Sequence, residues 1–329
     1  MDNHTFARAG RSASIIGLGT WQLGADWGEV SESDALAVLE AAVGDGVTFL
    51  DTADVYGDGR SEQVIGRFLA SHEGLMVATK MGRRVDQVPA NYTLANFRTW
   101  LDRSRANLGV DTIDLVQLHC PPSATIDADA TYDALDRLVE EGVIAAYGVS
   151  VETSDQALSA LARPNVASIQ IILNAFRHKP LDSVLPAAAD AGVGIIARVP
   201  LASGLLSGRY TESTTFAADD HRTFNRDGGA FDVGETFSGV DFATGVEAAQ
   251  EFAALVAEHG PAGATPAQVA LAWVAQQPGV TTVIPGARNP AQARANAAAG
   301  SLPPLSDDLL AGVRRIYDTH FRETIHSRW

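Results

Sequence analysis

Four side chains along this 329-residue chain have the types needed to move a proton: Asp51, Tyr56, Lys80 and His119. They supply a carboxylate, a phenol, an ammonium and an imidazole, at successive separations of 5, 24 and 39 residues. A phenol has a reference pKa of about 10, so at neutral pH it is a proton donor. An ammonium beside it favours the phenolate, and Lys80 is therefore expected to lower the pKa of Tyr56. At ~4 Å and an effective dielectric near 20, one charge pair supplies about 4 kcal/mol. A two-unit drop needs only about 2.7 kcal/mol. Asp51 would hold Lys80 charged and in place. His119 could donate a hydrogen bond to a carbonyl oxygen and orient it. The set suits reversible protonation of a carbonyl oxygen as hydride arrives at the adjoining carbon.

Side chains so far apart in sequence need a scaffold. Short β-branched runs alternate with longer amphipathic ones. The strands expected are 14–18, 47–51, 76–80, 113–119, 144–150, 167–171, 194–199 and 281–286. Helices are expected at 33–46, 61–74, 94–109, 130–142, 154–162 and 181–192, with Ser33 and Ser61 as N-caps and Pro186 as a kink or first-turn residue. Eight strands alternating with helices give an α/β fold, a (β/α)₈ TIM barrel forming a single domain over residues 1–329. In such barrels the chemistry sits at the C-terminal ends of the strands. Asp51, Lys80, His119 and Ser150 each close one strand, and Gln170 lies on another. The connection after strand seven, residues 204–240, is far longer than a barrel needs and is expected to be a lid. Phe216, Phe224, Phe231 and Phe237 would anchor it. The Gly17-Leu18-Gly19 turn lacks the third glycine of a dinucleotide fingerprint, and no P-loop, HExxH or GxSxG motif is present.

Composition excludes other classes. Apolar residues are 46% and charged residues 19%, which is globular rather than disordered. A net charge of −16 argues against general binding to nucleic acid or anionic membranes. No long uncharged apolar run predicts a membrane span, and no signal peptide is expected at the N-terminus. A single cysteine, Cys120, excludes an internal disulfide and any multi-cysteine metal site, so a reducing cytoplasm is the expected location. No metal is expected. Composition fixes no oligomeric state.

Several stretches resemble the aldo-keto reductase family: GLGTWQLG (17–24), FLDTADVYGDGRSEQVIG (49–66), VATK (77–80), IDLVQLH (113–119), YGVS (147–150), VPLASGLLSGRY (199–210) and VIPGARNPAQARAN (283–296). The likeness runs from about residue 13 to residue 310. The resemblance implies that Tyr56 is the general acid/base, tuned by Lys80 and Asp51, with His119 positioning the substrate. No amino-acid side chain supplies hydride, so a nicotinamide cofactor is required. By resemblance, Ser150 and Gln170 hold the carboxamide, and Asp51 is also among the cofactor-binding residues. Gly19, Thr20 and Trp21 border the nicotinamide, and Leu201, Ser203, Gly204 and Leu206 line the pyrophosphate. Gly286, Arg288, Gln292 and Asn296 hold the adenosine end. Asn289-Pro290 reads as N-cap and first residue of a helix, which attracts phosphate. Arg288 beside it offers a fork matching a 2′-phosphate, so NADPH is expected over NADH. Trp21, Trp27, Tyr56, His119 and the lid would wall the substrate.

Two positions depart from the family pattern. Val151 stands where an asparagine commonly follows the strand-five serine, and Leu173 stands near where an aromatic residue usually stacks on the nicotinamide. Cys120 reads as a packing residue rather than a nucleophile, and His4, His72, His221, His259 and His326 as surface residues. The expected function is NADPH-dependent reduction of an aldehyde or ketone. The same site could run as a sugar or alcohol dehydrogenase, or serve a regulatory nicotinamide-binding subunit similar to potassium-channel β-subunits. A metal- or phosphate-dependent barrel isomerase would instead work without nicotinamide.

Overall fold

The computed structural model describes residues 1–24 and 30–329. Among these, ten strands form: β1 (Asn3–Phe6), β2 (Arg11–Ser14), β3 (Leu18–Gly19), β4 (Phe49–Asp51), β5 (Met76–Met81), β6 (Leu115–His119), β7 (Tyr147–Ser150), β8 (Val166–Ile172), β9 (Gly194–Arg198) and β10 (Val280–Val283). Strands β3 to β10 make one parallel sheet in chain order. Bridges from Ile16 to Val283 and from Gly19 to Gly286 close it into a barrel. All eight strands expected from the sequence are there, with helices between them. β4 to β9 are buried along their whole length, as a barrel wrapped in helices requires.

Residues 3–14 contain an element the sequence reading did not foresee. β1 and β2 pair as an antiparallel hairpin, turned by Ala7–Ala9 and a left-handed Gly10 (φ 62°). Phe6 is fully buried, with its ring 5.6 Å from that of Phe49. It joins the barrel-interior cluster with Met76, Leu115, Ile196 and Ile284. A methyl group on Gly194 would come within 2.3 Å of the Phe6 ring, so the glycine leaves room for this plug.

Helix starts follow capping chemistry, with some corrections. Helix Glu32–Gly44 is capped by Ser31, whose side chain accepts from the Asp34 N–H, and not by Ser33. Helix Arg60–Leu69 starts from a left-handed Gly59 (φ 95°) instead of a Ser61 cap. Ser61 is fully buried and donates to Thr20 Oγ1 (2.8 Å). Pro186 lies inside helix Pro180–Ala191, past its first turn.

The segment after β9 folds across the barrel mouth. It contains short helices at His221–Phe224, Val233–Glu235 and Phe237–Gly239 before helix Phe242–His259. Phe237 is buried and packs with Phe216 and Phe242. Phe231 meets Trp21 edge-on at 5.9 Å. Phe224 is 49% exposed, and among the described residues its ring meets that of Phe231. His221 is not a surface residue: it is buried, 5.3 Å from the Trp21 ring, and burial pushes its pKa down to about 4. Among the described residues no helix is long and apolar enough to cross a membrane.

Candidate active site

Parallel register brings the expected residues together. His119, Ser150 and Gln170 are direct partners on β6, β7 and β8, and Lys80 on β5 pairs with Gln117 on β6. Side chains alternate along a strand, so Gln117 and His119 share the inner face. Lys80 is 1% exposed and donates to Asp51 Oδ1, to the Thr52 carbonyl (2.9 Å) and toward the Tyr56 hydroxyl (3.5 Å). The second Asp51 oxygen accepts from Gln170 (2.8 Å) and Gln117 (3.3 Å). Asp51 is thus a buried anion with three donors, as burial demands. Gln117 was not foreseen. Its signal was a lone amide on the alternate position of the apolar run that ends in His119.

The turn carrying Tyr56 is shaped by close contact. A Cβ on Gly57 (φ 57°) would lie 2.0 Å from the Gly24 carbonyl oxygen, so only glycine lets the two turns touch. That contact sets Trp21 against Tyr56, with ring centroids 6.0 Å apart and planes 20° from parallel. Asp58 also adopts a left-handed φ of 54° and accepts from Arg84 (2.5 Å) and Arg103 (2.9 Å). Arg84 further binds the Asp54 carbonyl (2.8 Å). The His119 ring stands edge-on to Tyr56 at 6.1 Å. Trp21, Tyr56 and His119 therefore share one wall, while Trp27 lies outside the described residues.

Charge states follow from burial. Burial pushes the Tyr56 hydroxyl above its usual value; Lys80 opposes this and Asp51 adds to it. The lowering expected of Lys80 is real in sign but smaller than the desolvation, so the phenol stays protonated at neutral pH. Burial would lower Lys80, but Asp51 and then Tyr56 outweigh it and keep the ammonium charged. His119 is held well below its usual range by burial and then by Arg83, Lys80 and Arg198, so it is a neutral imidazole. Cys120 is pushed up to about 12, chiefly by burial, and is no nucleophile.

Asp54, in the same turn, is fully buried, and neither carboxyl oxygen has a hydrogen-bond partner among the described residues. Burial, with Glu62 adding to it, raises its pKa from 3.8 to about 7. A raised carboxyl contributes stability below its unfolded value, and this is lost as pH climbs from about 4 to about 7. Three units correspond to about 4 kcal/mol. We expect Asp54→Asn to remove this loss. The difference in unfolding free energy between variant and wild type, measured in denaturant, should grow in the variant's favour from pH 4 to pH 7. A difference that stays constant with pH would contradict it.

The residues expected to hold a cofactor lie on β3, β7 and β8, in the turn after β9 and at helix Pro290–Ala298. Ser150 donates toward Gln170 Oε1 (3.5 Å). Gly19 bridges Gly286, and Asn296 donates to the Gly286 carbonyl (3.1 Å). Ala202, Ser203 and Gly204 are successively left-handed (φ 48°, 55° and 96°), and the Ala202 and Gly204 N–H groups donate to the Val199 (3.1 Å) and Leu201 (2.9 Å) carbonyls. Asn289 caps helix Pro290–Ala298 by accepting from the Gln292 N–H, and Gln292 returns to the Arg288 N–H (2.8 Å). A helix N-terminus beside an arginine and a buried hydroxyl next to an amide fit a phosphate and the carboxamide of a dinucleotide. Two hydroxyls are committed elsewhere: Thr20 donates to the Asp51 carbonyl (2.8 Å) and Ser203 to the Glu235 carbonyl (3.1 Å). Leu206 and Leu173 are fully buried in the main hydrophobic cluster, so Leu173 is not placed to face a nicotinamide ring. Leu201 is partly exposed at the start of this left-handed turn.

A charged cluster stands beside His119. Cys120 Sγ, a Glu152 oxygen and a Glu235 oxygen converge within 4.8 Å. Arg198 already binds both carboxylates (2.8 and 3.3 Å), and the thiol does not ionise near neutral pH, so the chemistry does not favour a cation there. Sequence reasoning missed this cluster because its members come from separate stretches of the chain, Arg198 from the end of β9 and the others from loops.

The model of the Aldo/keto reductase family matches residues 15–318. The chain belongs to this family. It is 31% identical over 301 residues to the aldo-keto reductase YhdN of Bacillus subtilis (strain 168), covering 90% of this chain and 87% of that protein. It is 32% identical over 232 residues to a D-threo-aldose 1-dehydrogenase of Pseudomonas sp, covering 61% of this chain and 70% of that one. The solved glycerol dehydrogenase AKR11B4 of Gluconobacter oxydans superposes with a TM-score of 0.79 at 30% identity, covering 97% and 96% of the two chains. As a family member the chain is an NAD(P)H-dependent oxidoreductase acting on carbonyl or alcohol groups.

Proposed function

We propose that this aldo/keto reductase reduces an aldehyde or ketone with NADPH, and that Tyr56 protonates the carbonyl oxygen. The observation that carries the reading is the chain Asp51–Lys80–Tyr56, buried at Asp51 and Lys80 and half-buried at the phenol, with a neutral His119 edge-on to it. When bound, the nicotinamide supplies the hydride. The protein's groups do the rest. Lys80, fixed by Asp51, points its charge at the Tyr56 hydroxyl and stabilises the phenolate that proton transfer leaves behind. His119, being neutral, offers a hydrogen bond and does not compete as an acid. Trp21 and the segment after β9 cover the mouth and keep water away. In the reverse direction the phenolate takes the proton from an alcohol, so one site serves both directions.

Arg288 and the N-terminus of helix Pro290–Ala298 support NADPH over NADH, through the extra phosphate they can accept. A solved aldo-keto reductase of Klebsiella pneumoniae, 24% identical and with a TM-score of 0.71, is a complex with NADPH. The test is a panel of aldehydes and ketones followed by absorbance loss of NADPH, repeated with NADH. Turnover that requires nicotinamide and favours NADPH is the expected result. Absence of turnover on every carbonyl, or activity without nicotinamide, would overturn the reading.

A further inference from the structure

Trp329 and Arg177 meet where the turns after β7 and β8 adjoin the segment after β9. Arg177, in the turn after β8, is 1% exposed. Its guanidinium makes one hydrogen bond among the described residues, to the Glu152 carbonyl in the turn after β7 (2.6 Å), and Nε and Nη1 have no partner there. A buried cation needs compensation. The ring of Trp329 supplies it, with its centroid 4.0 Å from the guanidinium carbon. Trp329 is itself buried.

The pair shapes the segment after β9. Trp329 Nε1 donates to Asp232 Oδ1 (3.3 Å). A Cβ on Gly234 would lie 2.2 Å from Arg177 Nη1, and one on Gly239 (φ 69°) would lie 2.4 Å from Trp329 Cη2. Only glycine allows so close an approach, so residues 232–239 are moulded to the stacked pair. The same residues grip the turn after β9. Ser203 Oγ donates to the Glu235 carbonyl (3.1 Å) and accepts from the Phe237 N–H (3.0 Å). Phe237 and Ser238 hold left-handed φ values of 53° and 57°, and Asn174 donates to the Ser238 hydroxyl (2.7 Å). Such a backbone persists only where its surroundings over-determine it. Trp329 thus reaches Ser203 through one continuous set of contacts.

We propose that Trp329 is a positioning residue for the nicotinamide cofactor: stacked on Arg177, its ring holds residues 232–239 in the shape that fixes Ser203 and the turn after β9. It acts on binding, through a loop kept in its bound shape, and not on the proton step. This rests on the expectation that the cofactor lies along that turn, and it deepens the nicotinamide-dependent reading above.

The test is calorimetric titration with NADPH in the wild type and in Trp329→Ala, Trp329→Leu and Trp329→Phe, beside kcat at saturating NADPH on the best carbonyl of the panel above. Trp329→Ala should raise Kd about tenfold while kcat falls less than about threefold, since a loop left to be ordered on binding weakens affinity alone. Trp329→Leu fills the space without a ring face and should bind as weakly. It carries the test if the alanine variant does not fold. Trp329→Phe restores a face over the guanidinium and should recover most of the affinity. Amide exchange across residues 232–239, followed without cofactor, should quicken in the alanine and leucine variants. Ser203→Ala cuts the same route from its far end, so adding Trp329→Ala to it should weaken binding by less than about twofold more. An unchanged Kd or unchanged exchange in the alanine and leucine variants overturns the proposal while leaving carbonyl reduction standing. So does equal affinity in the leucine and phenylalanine variants, full additivity with Ser203→Ala, or a kcat that falls as far as affinity does. A wild type that binds no NADPH, or turns over no carbonyl, would instead strike the underlying reading and this proposal with it.

Discussion

Replacing Tyr56 by phenylalanine should lower carbonyl turnover by about 10² to 10⁴, the range a positioned general acid contributes. The substitution removes one oxygen and little else. The ring still stacks on Trp21, and the turn is still held by Gly57 against Gly24 and by Arg84 and Arg103 on Asp58. Cofactor affinity, read by fluorescence titration, and the unfolding midpoint should therefore stay near wild type. A variant that keeps wild-type turnover would show that the proton comes from elsewhere.

The second large effect belongs to Lys80. Lys80→Met removes the charge that favours the phenolate and strands Asp51 in the interior with only two amide donors. Breaking a buried pair by deleting one partner costs about 3–5 kcal/mol. Turnover and stability should both fall. The double variant Asp51→Asn with Lys80→Met removes both charges and should regain most of the stability while turnover stays low. If the double variant is as unstable as the single one, the pair is not what holds the site. Recovered turnover in the double variant would deny Lys80 its role toward Tyr56.

Much of this architecture was legible in the sequence because barrel strands are short, apolar and punctuated. Each strand β3 to β10 announced itself by a β-branched run, and the polar residue ending several of them marked the mouth. Asp51, Lys80 and His119 were found that way, and parallel register placed them on one face. The β1–β2 hairpin escaped because β1 buries only Phe6 of its four residues, leaving almost no periodic signal. The charged cluster beside His119 escaped for another reason. Cys120, Glu152, Arg198 and Glu235 are remote in sequence, and only the fold brings them together. The net effect on Tyr56 also needed the structure. Coulomb attraction to Lys80 can be argued from spacing, but the desolvation that exceeds it depends on Trp21 and the covering segment. Phe216 and Phe237 were sound anchors, and Phe224 was not, because aromatic character alone says nothing about which side faces inward.

The pH dependence of carbonyl reduction, with NADPH and substrate saturating, separates the phenol from the imidazole as proton donor. The account predicts a rate that is level through neutrality and falls only above about pH 10, because burial raises the Tyr56 hydroxyl and keeps His119 neutral. A rate that instead declines between about pH 6 and pH 7.5, with that decline abolished by His119→Asn, would make the imidazolium the acid and contradict the account.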